Sequence, residues 1–173
     1  MTLLDRLKHI RLFRSFIYGL VGIFTYPGLV LFNKLKIEGT EHLENLPNKN
    51  VLFVSNHQTY FADVVAMFHV FNASLSGRED NIKNVGYLWH PKLNIYYVAA
   101  SETMHEGLLP RILAYAGAIT VERTWRSKGK DVTEKKDVNP NDTENIKIAL
   151  EDGWVITFPQ GTTRSFKPVR KGT

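Results

Sequence analysis

Between residues 51 and 158, short runs of β-branched and aromatic residues alternate with longer stretches whose apolar side chains recur at helical spacing. That alternation constrains the fold more than any other feature. A strand, a helix and a second strand in succession close most readily as a parallel pair with the helix laid across one face. The runs 51–54, 96–100, 119–122 and 155–158 read as strands. Val64, Val65, Phe68, Val70 and Phe71 place a helix over 61–73, with Asp63 in its first turn, and Pro110 and Gly117 bracket another at 107–116. Ile146, Ala149 and Leu150 give the core face of a third at 143–152, capped by Asp142 and stopped by Gly153. Two further strands are expected at 35–39 and 84–89, and a charge-rich loop at 126–141. The expected fold is α/β, with a central, mostly parallel sheet flanked by helices.

The run 16–32 carries no charge, lies at the lower limit for crossing a bilayer, and is interrupted by Pro27-Gly28. Arg6, Lys8, His9, Arg11 and Arg14 precede it, and Lys34 and Lys36 follow it. Positive charge on both flanks favours a segment that enters and returns, or lies in the interface, over a clean span. A membrane-associating helical hairpin over 1–33 is therefore expected ahead of a domain over 34–173; a buried pair of core helices is the alternative. The net charge of +5 favours anionic partners such as phospholipid surfaces or phosphate-bearing substrates. No zinc-finger spacing, helix-turn-helix signature or interleaved basic and aromatic run points to nucleic acid. The absence of cysteine excludes disulfides and thiolate metal sites, and neither a His-x-x-x-His pattern nor a glycine-rich nucleotide loop is present.

Directly after the strand at 51–54 comes Asn56-His57, with Asp63 six positions beyond the histidine. A histidine held by a carboxylate can take a proton from a hydroxyl near neutral pH, because the carboxylate fixes the tautomer and stabilises the imidazolium. No nucleophile elbow and no obvious Ser or Cys partner accompanies His57. The pair thus suits direct activation of an acceptor alcohol. Six positions along one regular helix would set the two side chains about 240° apart, so they meet only if His57 lies on the loop before the helix or a bulge intervenes. A helix-start carboxylate and a loop histidine are the competing readings.

Three more segments follow in order: Gly117-Ala118-Ile119-Thr120-Val121-Glu122-Arg123, then Phe158-Pro159-Gln160-Gly161-Thr162-Thr163-Arg164-Ser165, then Val169-Arg170-Lys171-Gly172. Together with the Asn-His…Asp stretch they resemble the glycerolipid acyltransferase superfamily, the lysophosphatidic acid acyltransferases among them, over about residues 37–173. The resemblance implies His57 as general base with Asp63 orienting it, and Arg123 and Arg164 gripping a substrate phosphate. It places Gln160, Gly161 and Thr162 at the acceptor and Lys171 as a further cation near the phosphate. It also implies transfer of a fatty acyl group from acyl-CoA or acyl carrier protein to a lysophospholipid hydroxyl. Lysophosphatidic acid giving phosphatidic acid would be the type reaction, at the cytoplasmic face of a membrane and with no cofactor beyond the acyl donor.

Four departures stand out. The family sets four residues between His and Asp where this chain has five, and Gln160 replaces a glutamate. Thr163 shifts Arg164 by one position, and 99–102 lack the family's lysine before the central helix. They keep open another lysolipid acceptor, such as a lyso-aminolipid, and a non-catalytic lipid-surface binding protein. The family continues with another strand and more helices past the last segment. The C-terminal part of the domain is therefore expected to be missing, with an exposed apolar sheet edge near 155–158.

Overall fold

The computed structural model describes residues 11–59, 61–104, 108–122, 126–127, 130–131 and 139–159. The first described element is helix α1 (Arg11–Pro27), which runs on into a π-helical turn, Gly28–Phe32. A 3-10 turn (Thr40–Leu43) leads to β1 (Val51–Val54) and α2 (Ala62–Leu75), and a second (Val85–Leu88) leads to β2 (Asn94–Ala100). Then come α3 (Ser101–Met104), α4 (Leu108–Tyr115), β3 (Ala118–Val121), the short β4 (Arg126–Ser127) and β5 (Lys130–Asp131), α5 (Pro140–Asp152) and β6 (Gly153–Thr157).

Four strands form one sheet in the order β1-β6-β2-β3, and every neighbouring pair is parallel. Trp154, Val155 and Ile156 of β6 are fully buried, as parallel strands covered on both faces must be. On one face Ile95, Tyr97, Trp154 and Ile156 share a core with α1, α2 and α4. On the other, Val155 and Ile119 pack with Ala149 of α5. The expected α/β architecture with its central parallel sheet is the one found.

Several local expectations are corrected. The apolar edge does not lie at 155–158: β6 is flanked by β1 and β2, and exposed apolar side chains sit instead on β1, at Leu52 and Val54. Residues 84–89 form no strand. Asn84 takes a φ of +61°, and its side-chain oxygen accepts from the Gly86 N–H, starting the 3-10 turn that buries Tyr87 and Leu88. Residues 35–39 are irregular; Leu35 and Ile37 pack on the core without a ladder, and Gly39 turns the chain at φ +87°. The cap of α5 is Asn139, whose side chain accepts from the Asn141 N–H, while the Asp142 carboxylate accepts from the Glu122 N–H at 3.0 Å. The paired Arg126–Ser127 and Lys130–Asp131 stand within the stretch expected as a loop, of which 128–129 and 132–138 lie outside the described residues.

Of the expected hairpin over 1–33, residues 1–10 lie outside the described residues; residues 11–32 form one continuous helical rod across Pro27, with no reversal at Pro27-Gly28. Its inner face joins the core through Tyr18, Val21 and Leu29, and the Tyr18 hydroxyl donates to the Ile95 carbonyl at 2.9 Å. Its outer face leaves Phe16, Phe24, Leu31 and Phe32 between 61% and 82% exposed. A buried polar chain also fastens it. The Thr25 hydroxyl donates to the Val21 carbonyl at 2.8 Å, so it accepts from His69 Nε2–H at 3.0 Å. Nδ1 of His69 then accepts from the Tyr87 hydroxyl at 2.7 Å. Both ring nitrogens are satisfied in the neutral form, and burial pushes the His69 pKa down to about 4.

Because the folded value lies below the unfolded one, the unfolded chain takes up the proton first. Stability should be intact above about pH 6.5 and fall as the pH drops toward 4, by up to about 3 kcal/mol. Denaturation midpoints measured at about pH 7.5 and about pH 4.5 read this loss, which His69→Gln should flatten. Gly153 offers a second check, since a Cβ there would stand 2.1 Å from the Asn94 carbonyl oxygen of β2. Gly153→Ala should cost about 2–3 kcal/mol in a urea denaturation curve.

Candidate active site

Strand β1 ends at Val54, and the ladder to β6 extends one step further through the Ser55 N–H donating to the Thr157 carbonyl at 3.0 Å. The chain then leaves the sheet as an irregular loop carrying His57. Asp63 stands in the first turn of α2, where the positive end of the helix dipole favours a carboxylate. The loop absorbs the extra residue between the two, and His57 Nδ1 lies 2.9 Å from Asp63 Oδ2. A carboxylate at that position requires Nδ1 to carry the proton, which leaves the basic lone pair on Nε2.

The carboxylate is held on more than one side. Asp63 Oδ2 also accepts from the N–H groups of Gln58 at 2.8 Å and Thr59 at 2.9 Å, and Oδ1 accepts from the Thr59 hydroxyl at 2.7 Å. Burial by itself would raise the Asp63 pKa. The hydrogen bonds from Thr59, His57 and Gln58 outweigh it and hold the carboxyl below its ordinary value. Asp63 is thus an anion at neutral pH and can stabilise positive charge on the ring. Phe158, just past β6, stacks on the imidazole with ring centroids 4.5 Å apart and planes 25° apart. The pair is partly sheltered, with 18% of the His57 side chain and 21% of the Asp63 side chain exposed.

Thr59, the Gln58 N–H and Phe158 were not singled out from sequence as parts of this site. The legible signal was a threonine in the loop just ahead of a first-turn aspartate, the pattern in which a carboxylate reaches back to N–H groups before the helix. His57 and Asp63 are brought together. Arg123, Gln160, Gly161, Thr162, Arg164 and Lys171 lie outside the described residues. Their chain positions follow the ends of β3 and β6, strands that run parallel to β1 and finish on the same side of the sheet. In open α/β sheets ligands bind in the crevice outside those carboxyl ends. Among the described residues no group of three or more His, Cys, Asp or Glu side chains converges on one point.

Fold and site together describe an α/β protein with an oriented imidazole at the carboxyl edge of a parallel sheet. The Acyltransferase family model matches residues 34–172, and the chain belongs to that family and is an acyltransferase. No curated protein and no solved structure matches it.

The tautomer is directly measurable. In ¹⁵N spectra of histidine-labelled protein, the neutral form of His57 should show a protonated Nδ1 and an unprotonated Nε2. Asp63→Ala should shift that balance toward the Nε2–H form that free imidazoles favour.

Proposed function

We propose that the protein is a membrane-associated O-acyltransferase in which His57 is the general base and Asp63 orients it. The observation that carries this reading is the 2.9 Å contact from Nδ1 to the carboxylate, in a chain of the Acyltransferase family. Nε2 takes the proton of an acceptor hydroxyl as its oxygen attacks the carbonyl carbon of an acyl thioester. The C–O bond forms, the tetrahedral oxyanion collapses, and the C–S bond breaks. Nε2–H then returns the proton to the departing sulfur of coenzyme A or acyl carrier protein. Asp63 stabilises the imidazolium between those two steps.

The acceptor is a lysophospholipid, with conversion of lysophosphatidic acid to phosphatidic acid as the leading reaction. Arg123 and Arg164 suit a phosphate because guanidinium forks pair bidentately with its oxygens, and Lys171 adds charge. Gln160 can hydrogen-bond the acceptor but brings no charge, so acceptors with other head groups belong in the same assay. Gly161 and Thr162 complete the acceptor side. The exposed apolar face of α1 supports a protein seated on a bilayer, at the cytoplasmic surface. A helix that buries one face in the domain and offers phenylalanine and leucine on the other is suited to lying in the interface.

The test is acyl transfer by the full chain in vesicles, with acyl-CoA and acyl carrier protein donors and a panel of lysolipids. His57→Ala should lower the rate by about 10²–10⁴-fold while vesicle association is retained. No transfer to any lysolipid, or full activity in His57→Ala, would sink the proposal.

A further inference from the structure

The carboxyl end of α2 is about 20 Å along the helix axis from Asp63. A pocket of about 340 Å³ opens there, lined by Leu75, Ser76, Arg78, Gly86, Tyr87, His90 and Lys92. It contains two fixed positive charges, an imidazole and a serine, and no carboxylate lines it. Arg78 is preorganised: its Nε donates to the Lys83 carbonyl at 2.9 Å and one Nη to the Asn84 carbonyl at 2.8 Å. Its guanidinium carbon lies 4.9 Å from the centre of the Tyr87 ring. Those bonds leave other guanidinium N–H groups available, and Gly86 borders the guanidinium without a side chain of its own. Among the described residues, neither Arg78 nor Lys92 is paired with a carboxylate.

Trp89 stands between this pocket and α1. Its ring covers the buried Gly19, one helical turn from the exposed Phe16, and it is itself 58% exposed. Its chain neighbour His90 lines the pocket. Apolar side chains, then an indole, then cations is the order in which a bilayer presents its acyl region, interface and phosphates. We propose that this pocket is a second phosphate site, separate from the site at His57, that holds the phosphate of an anionic phospholipid in the membrane surface. The proposal rests on the membrane-surface reading of α1, but not on the chemistry at His57.

The test compares binding of the full chain to vesicles of phosphatidylcholine alone and of phosphatidylcholine with phosphatidylglycerol. The wild type should bind both, the anionic ones more tightly, with the difference shrinking as salt rises. His90→Gln/Lys92→Gln replaces two exposed side chains and should weaken binding to the anionic vesicles about fivefold, leaving phosphatidylcholine binding unchanged. Equal anionic binding by variant and wild type overturns the site. Failure of the wild type to bind any vesicle overturns the membrane reading instead. Inorganic phosphate, followed by the amide resonances of Gly86 and His90, separates the sources. A shift there without an anionic vesicle increment would assign the pocket to a soluble phosphate and overturn the lipid assignment.

Discussion

The parallel ladder between β1 and β6, from Val51 opposite Trp154 to Val54 opposite Thr157, fixes where His57 stands. Among the described residues β1 has no other strand neighbour, so the loop leaving its carboxyl end inherits its position from β6. Trp154 secures that pairing. Its indole N–H donates to the Pro47 carbonyl at 2.7 Å ahead of β1, and its ring packs on Phe53 and Phe71. One step past β6, Phe158 closes on the imidazole itself. The last described strand therefore holds the strand that delivers the histidine, and the residue just past it stacks on the imidazole.

Much of this was legible in the sequence, for physical reasons that differ from place to place. The strands at β1, β2, β3 and β6 announced themselves because β-branched and aromatic runs are bounded by turn residues. Helix α2 followed from its apolar spacing, α4 from Pro110 and Gly117 at its ends, and α5 from apolar spacing with Gly153 as its stop. Asp63 and His57 could be paired because a loop precedes the helix. Sheet order was not legible: nothing local in Trp154-Val155-Ile156 says that the strand is inserted between β1 and β2. Nor was the fate of 84–89, where an apolar run reads as a strand but one Asn84 with positive φ coils it into a 3-10 turn. The cap of α5 was displaced for a similar reason. Asn139 with Pro140 behind it caps the helix, and Asp142 is drawn to the Glu122 backbone.

Helix α1 faces two environments at once. Its inner side is bound by directional contacts as well as apolar packing: the Tyr18 hydroxyl on β2, and the Thr25 link to a fully buried His69 on α2. An imidazole without exposure is tolerated only because both nitrogens have partners, and those partners come from α1 and from the 3-10 turn at 85–88. The polar chain thereby ties three elements into one register. The outer side has no such bonds among the described residues and consists of large apolar groups, which water does not favour.

The order of strands in the sheet also has a consequence in time. A polypeptide leaves the ribosome amino end first, at roughly 5–20 residues per second. The helix with the uncovered phenylalanines emerges before any described strand of the sheet, whereas β1 must wait for residues 153–157 before it has a neighbour among the described strands. Until residues 153–157 emerge, the nascent chain therefore carries that greasy, rod-forming segment on an unfinished domain. A lipid surface close to the translation site would meet that rod before the sheet exists.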